Sequence, residues 1–362
     1  SRQKDFLSVP VYFYFGNNKL KSILDDKINN NNYYLIIGGN HMERNDDLKK
    51  VVLVGTGLVG MSMAYSVLNT GGIDELVLID IDQEKAIGEA MDISHGLPYS
   101  KSSLKVKAGD YSDCKDADIV VITAGAAQKP GQTRLELASI NAKIMKSITR
   151  SIMDTGFDGI IIVASNPVDL MSYVVQKVSG LPTNRVIGSG TILDTARLRY
   201  LLSEHLNIAS TNIHAYILGE HGDSSFVPWM NTYIGCKSMM EYVVEMGIDM
   251  NEMHNIYKEV QQAAYEIIKR KNATYYGIGL SLNRLITAIL SDENAVLTVS
   301  AYQQGEYKQE GLYIGVPAII NRNGVSKIMT LHLNDVDQSK FDKSCETLRE
   351  MIDNELDAII NS

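Results

Sequence analysis

The sequence predicts an α/β fold in which a doubly wound parallel sheet is followed by a mixed α+β domain. Three observations predict it. Short apolar, β-branched runs alternate with helix-length amphipathic stretches from Val51 to Val163, a glycine-rich turn closes the first run, and after Gly188 the alternation gives way to long helices and one β-rich stretch. In order, the first part reads as strand Val51–Val54, helix Val59–Asn69, strand Leu76–Ile79, helix Gln83–Gly96, a short strand near Val106, strand Ile119–Thr123, helix Leu135–Thr155 and strand Ile160–Val163. The second part reads as helix Leu193–Leu206, strand Ile213–Leu218, a long amphipathic helix Asn251–Arg270, a β-rich Ala295–Ile320 with a turn at Asn321–Gly324, and a last helix over roughly Gln338–Ile360. The expected boundaries are an extension over 1–48, a first domain over 49–190 and a second over 191–362.

The glycine turn specifies a device for holding a dinucleotide. VVLVGTGLVG (Val51–Gly60) sets Gly55, Gly57 and Gly60 at GxGxxG spacing between a strand and a helix that starts near Val59. Gly55 permits the tight turn, Gly57 lets backbone approach a pyrophosphate, and Gly60 allows close helix packing. The helix N-terminus adds free N–H donors and a positive dipole end. Asp80 closes the second apolar strand of LVLIDID (Leu76–Asp82), about 20 residues past the last glycine, where a carboxylate accepts from both ribose hydroxyls and repels a 2′-phosphate. A glycine turn alone is common; with strand, helix and distal Asp it becomes a Rossmann fingerprint that favours NAD over NADP.

Composition narrows the partners. The 362 residues are 45% hydrophobic, enough for sizeable cores. A formal charge of -9 argues against nucleic acid or an anionic membrane, so an anionic substrate must meet local cations. Cys114, Cys236 and Cys345 lack CxxC or metal-ligand spacing and read as reduced thiols of a cytoplasmic protein, with no metal site. The apolar stretches are strand-length, too short to span a bilayer. Residues 1–48 differ from the rest: they are rich in Asn, Lys, Ile and Tyr, contain NNNNYY (Asn29–Tyr34), and show no amphipathic period. IIGGNHM (Ile36–Met42) back-translates to a purine-rich ribosome-binding site, a short spacer and a start codon, so residues 1–41 are expected to be translated leader; a real extension is the alternative.

Four loops and strand ends carry reactive side chains. The loop TAGAAQKPGQTR (Thr123–Arg134) holds Gly125, Pro130 and Gly131 in a polar stretch able to hinge, and Arg134 either polarises a substrate carbonyl on closure or is a solvated residue starting a helix. Asn166, before Pro167, either bonds a carbonyl oxygen or caps the helix starting at Val168; taken alone, capping is the better reading. Asp194 and Arg197 are three apart on one helical face, which suits an ordinary ion pair or an Arg fork gripping a carboxylate. His221 stands between glycines in GEHGDS (Gly219–Ser224), able to move a proton near neutral pH or simply to meet solvent. Together with a hydride cofactor they supply what a redox step at a carbonyl requires: His221 as proton donor, Asp194 to orient it, Arg197 as clamp and Arg134 as polariser.

The motifs VGTGLVG, AGAAQKPGQTR, SNPVD, LDTARLR, GEHGDS and ATYYGIG occur in an order that resembles the lactate and malate dehydrogenase family, and its bacterial lactate branch most, from about Lys49 to the C-terminus. The resemblance implies that His221 is the acid/base, that Asp194 stabilises its imidazolium, that Arg197 clamps the substrate carboxylate and that Arg134 polarises the carbonyl. It further implies that Asn166 bonds in the same region before a cis Pro167, that Thr274 lines the substrate pocket and that Ile278 walls the nicotinamide. Gln128 matches the position that contacts the substituent on the α-carbon. A neutral Gln there suits a methyl, whereas a second carboxylate would lose a charge-assisted bond, so pyruvate/L-lactate is expected over oxaloacetate/malate. Lys129 is the nearest cation, but it alternates away from Gln128 in an extended loop.

The same resemblance implies a homotetramer activated by fructose 1,6-bisphosphate through Arg199 and His214, which otherwise read as a surface helix arginine and a satisfied strand histidine. Three rival readings remain: a malate or broader 2-hydroxy acid dehydrogenase, a non-catalytic NAD-binding protein on the same scaffold, and an RNA-binding role that the acidic composition does not favour.

Overall fold

The computed structural model describes residues 48–126 and 134–361, Arg134 by its backbone alone. The expected leader, nearly all of the 1–48 extension, and Gln128 and Lys129 lie outside them.

The first half alternates as the sequence predicts through β1 (Lys50–Val54), α1 (Leu58–Thr70), β2 (Glu75–Ile79), α2 (Gln83–Gly96), β3 (Lys105–Ala108), β4 (Ile119–Ile122), α3 (Arg134–Met153), β5 (Ile160–Val163) and α4 (Val168–Ser179), and ends on a strand the sequence reading did not include, β6 (Val186–Gly188). These strands pair in parallel in the order β3-β2-β1-β4-β5-β6, with Val51 opposite both Leu76 and Ile119. That order reverses direction between β1 and β4, and a doubly wound sheet opens its ligand crevice at the carboxyl ends of such a strand pair. β1, β4 and β5 are buried along their whole length, which is why their Val and Ile runs show no polar alternation.

The second half continues through α5 (Ile192–Leu206), β7 (Ile213–His214), β8 (Tyr233–Ile234), β9 (Lys237–Ser238), α6 (Met239–Met246), α7 (Met250–Lys271), α8 (Tyr276–Leu290), β10 (Ala295–Gln304), β11 (Glu310–Asn321), β12 (Gly324–Ile328) and α9 (Asp335–Met351). One π-helical turn (Ile352–Leu356) leads into α10 (Asp357–Asn361). The antiparallel strands β10 to β12 do not form a separate sheet. They extend the parallel one to nine strands, joined where Ser300 pairs with Gly188. A Cβ on Gly188 would stand 2.3 Å from Ser172 Oγ and 2.7 Å from Ser300 Cβ, so the junction requires glycine.

The sequence reading needs correction in places. The expected strand Ile213–Leu218 pairs as β7 only through His214; beyond it the chain leaves the small β7-β8-β9 sheet, and Leu218 and Gly219 form single bridges to Phe226 and Gly315. The backbone in between is satisfied by side chains instead, with Ile217 N–H donating to Thr195 Oγ1 at 3.0 Å and Thr191 Oγ1 donating to the Ile217 carbonyl at 2.6 Å. The last helix starts earlier than expected because Asn334 caps it, accepting from Asp337 N–H. Helices α6 and α8 were not foreseen. Two apolar clusters result, one around the nine-stranded sheet and one between α5, α7 and the small sheet. No described helix is long and apolar enough to cross a membrane.

Candidate active site

The crevice between β1 and β4 is built by glycine. Gly55 has φ +104°, and a Cβ there would lie 2.6 Å from Ala124 N, just past β4. A Cβ on Gly60 would reach to 2.2 Å from the Gly55 carbonyl oxygen, so α1 rests directly on the turn. Gly57 is different: nothing lies within 4 Å of its Cβ direction, and as N-cap of α1 it offers no side chain to the first-turn N–H groups. Crowding behind the loop and open space in front of a helix N-terminus form the cradle a pyrophosphate requires.

Asp80, after β2, faces the same turn. Its Oδ2 accepts from Thr56 N–H at 2.7 Å and Thr56 Oγ1 at 2.8 Å, and its Oδ1 accepts from Asp82 N–H at 3.1 Å. Partial burial opposes the charge, but the hydrogen bonds from Asp82 and Thr56 outweigh it and hold the carboxyl below the usual range. An ionised acceptor beside the glycine turn fits the ribose of NAD and repels a 2′-phosphate. The residues present thus fit this dinucleotide.

The reactive group lies on α5 and the loop after Leu218. His221 Nδ1 is 2.7 Å from Asp194 Oδ2, and Arg197 Nη1 donates to Asp194 Oδ1 at 3.1 Å. The i,i+3 ion pair and the His221 contact therefore coexist, because one carboxylate serves both partners. Thr195 fixes the geometry: its Oγ1 accepts from Ile217 N–H and, at 2.8 Å, from Thr298 Oγ1, tying α5 to the segment that leads to His221. Burial disfavours the imidazolium, yet the Asp194 carboxylate more than offsets it and raises the His221 pKa above its usual value. Asp194 is half-buried, so desolvation opposes its charge as well, and attraction to His221 and Arg197 still holds its pKa low.

Asn166 does not cap α4. The N-cap is Pro167, after a cis Asn166–Pro167 bond, with no side-chain cap bond. Instead the Asn166 carbonyl accepts from Asn141 Nδ2 at 2.7 Å, while Asn141 Oδ1 accepts from Ala126 N–H at 2.8 Å. Buried Asn141 thus ties the base of the loop after β4 to the end of β5. Thr274 precedes α8, and half-buried Ile278 lies in its first turn. Ile278 sits between two glycines: a Cβ on Gly277 would come within 2.8 Å of Leu193, next to Asp194, and one on Gly279 within 2.7 Å of Ser62 in α1. That packing seats the first turn of α8, which carries Ile278, against both α1 and α5. Val59 lies half-buried in the first turn of α1. Arg134 begins α3, its side chain outside the described set, as is Gln128.

Arg199 is not a free surface arginine. Its Nε donates to the Ala215 carbonyl at 3.0 Å and its guanidinium lies 5.1 Å over the Tyr216 ring, while His214, next in the chain to Ala215, is exposed. Three contributors escaped the sequence reading: Thr56, Asn141 and Asp169. Of these, Asp169 had a signal, as a carboxylate in the apolar first turn of α4.

Comparison with known proteins agrees with this geometry. A family model described as lactate/malate dehydrogenase, NAD binding domain, matches residues 49–188, and one for the lactate/malate dehydrogenase alpha/beta C-terminal domain matches residues 191–359. The chain belongs to the lactate/malate dehydrogenase family. It is an NAD-dependent enzyme of that family. Among family members, it is 53% identical over 304 residues to L-lactate dehydrogenase 1 of Bacillus cereus (strain ATCC 10987 / NRS 248), covering 84% of this chain and 97% of the relative. L-lactate dehydrogenase 2 of Bacillus anthracis matches equally, 53% over the same length. Among solved structures, a lactate dehydrogenase from a Medee basin deep-sea metagenome library superposes with TM-score 0.83 at 50% identity over 87% of this chain and 99% of that one. The minor L-lactate dehydrogenase of Enterococcus mundtii, in ligand-bound form, gives TM-score 0.83 at 47% identity over 84% and 98%.

Proposed function

We propose that this chain is an L-lactate dehydrogenase catalysing pyruvate + NADH + H⁺ ⇌ L-lactate + NAD⁺. The observation that carries the reading is the 2.7 Å contact of His221 Nδ1 with Asp194, whose other oxygen takes Arg197. With Nδ1–H committed to Asp194, Nε2 is the nitrogen that gives its proton to the carbonyl oxygen as pyruvate is reduced and takes it back from the lactate hydroxyl. The glycine turn, Val59, Ile278 and Asp80 would hold the dinucleotide, which when bound would supply the hydride as NADH or accept it as NAD⁺. The Arg197 fork grips the substrate carboxylate, which a single ammonium could not match. Arg134, on closure of the 123–134 loop, polarises the carbonyl and excludes water, strengthening both interactions. Asn166 and Thr274 complete the pocket.

Gln128 selects pyruvate over oxaloacetate, since a second carboxylate facing a neutral amide lacks a charge partner. We assign the nucleotide domain to 49–190 and the substrate domain to 191–362, matching the two family segments closely. The proposed state is a homotetramer in the cytoplasm; apolar residues left exposed on α1 (Leu58, Tyr65) and α8 (Tyr276, Leu280) support association between copies. Fructose 1,6-bisphosphate is the proposed activator: exposed His214 and Arg199, which bonds the carbonyl of the next residue Ala215, place a histidine and an arginine where α5 meets β7.

The test is NADH oxidation with pyruvate and with oxaloacetate in parallel, each with and without fructose 1,6-bisphosphate. Preference for pyruvate supports Gln128 as selector, and stimulation supports Arg199 and His214. Preference for oxaloacetate transfers the chain to the malate reading, and no oxidation with either transfers it to the binding-protein reading.

A further inference from the structure

His221 meets a second carboxylate, at its backbone rather than its ring. Asp169, in the first turn of α4 and only 2% exposed, accepts the peptide N–H of His221 on Oδ2 at 2.8 Å, while its Oδ1 accepts from Ser300 Oγ on β10. The imidazole is thus held by Asp194 and its backbone by Asp169. The residues beside it are fixed by α9: Glu220 N–H donates to Ser344 Oγ at 2.7 Å, and Ser224 Oγ donates to Glu220 Oε2 at 2.6 Å and lies 2.9 Å from Ser344 Oγ. No other side chain among the described residues bonds the His221 peptide N–H.

We propose that Asp169 is a positioning residue for proton transfer: buried between α4 and β10, it fixes the His221 backbone so that the ring meets Asp194, and its charge favours the protonated imidazole. This rests on the reading of His221 as the acid/base. A neutral acceptor would satisfy one amide with far less desolvation, so a carboxylate here adds something a simple loop anchor does not require. The charged and titratable groups facing the pair are Asp194 and Arg197 on α5, Glu220 in the loop, Cys345 on α9 and Tyr257 on α7, which faces Asp194. Burial pushes the Asp169 carboxyl up to about 6, so near neutral pH it still contributes negative charge behind His221.

Asp169→Asn retains an acceptor for the His221 N–H and removes the charge; Asp169→Ala removes both. The chain has seven histidines, and His221→Gln assigns the His221 resonance in a histidine-labelled NMR titration of the free enzyme. The expected result is that Asp169→Asn keeps its melting temperature and NADH affinity, lowers kcat for pyruvate by no more than about tenfold, and titrates His221 at lower pH than wild type. Asp169→Ala is expected to lower kcat by about 100-fold with KM for pyruvate little changed, the scale of a displaced reacting group with the Arg197 clamp intact. If the alanine variant fails to fold, Asp169→Asn and Ser300→Ala carry the test through the His221 titration. An unshifted His221 titration in Asp169→Asn, or wild-type kcat and pH profile in folded Asp169→Ala, overturns the proposal. A wild-type enzyme inert towards pyruvate, or a fully active His221→Gln, instead overturns the functional reading beneath it.

Discussion

Asp194 and His221 stand 2.7 Å apart, carboxylate Oδ2 to imidazole Nδ1, and the same carboxylate holds Arg197 by its other oxygen. One half-buried acid therefore orients both the proposed proton donor and the proposed carboxylate clamp. Because Asp194 lies in the first turn of α5 and His221 at the end of the segment that crosses Thr195, a shift of α5 moves both together.

The clamp predicts a sharp penalty for a conservative change. Arg197→Lys keeps the charge but loses the planar fork, removing a charge-assisted bond of about 2–3 kcal/mol. kcat/KM for pyruvate should fall by at least about 30-fold, at about 1.4 kcal/mol per tenfold, while NADH affinity stays unchanged. Steady-state kinetics with a separate NADH titration checks this; equal loss of NADH binding would place Arg197 in a structural role.

The glycine turn predicts that two substitutions three residues apart separate stability from binding. Gly60→Ala forces a Cβ to 2.2 Å from the Gly55 carbonyl and should destabilise the fold by about 1–3 kcal/mol. Gly57→Ala meets nothing within 4 Å and should leave the melting temperature almost unchanged while weakening NADH binding. Thermal denaturation and NADH titration of the two variants read the contrast directly.

Asp80 predicts cofactor choice. Asp80→Ser removes the ribose acceptor and the charge that repels a 2′-phosphate, so NADH affinity should fall and the NADH/NADPH preference should narrow by at least about tenfold. Thr56→Val, which removes the hydroxyl but keeps the Thr56 N–H to Asp80, should show the same change more weakly. Kinetics with both cofactors measures it.

Much of this was legible in the sequence, for identifiable reasons. β1, β2, β4 and β5 are short, apolar and buried on both faces, and the glycine spacing gives a turn that only glycine fits, so the nucleotide half reads locally. α2 and β5 fall where their periodicity puts them. The second half depends on distant contacts. β10 joins the parallel sheet through one residue pair, and the segment after β7 is satisfied by Thr191 and Thr195, some twenty residues away, which no local pattern signals. Asn166 read as a cap because its side chain suits one; the cis bond and Asn141 place it otherwise. Asp169 went unnoticed because its partners, His221 and Ser300, are 52 and 131 residues distant.

The central claim is that His221, held by Asp194, moves the proton, and the pH dependence of kcat/KM tests it most directly. Reduction needs the imidazolium, and Asp194 raises the His221 pKa, so pyruvate reduction should persist above the ordinary histidine value of about 6.5 and decline as pH rises through the elevated one. Lactate oxidation, which needs the neutral ring, should rise through the same range. Asp194→Asn should lower the reduction rate by about 100-fold or more and move the decline to lower pH, because the largest contribution opposing desolvation of the imidazolium is then lost and only the more distant Asp169 charge remains. A profile whose midpoint is the same in wild type and Asp194→Asn would contradict the account.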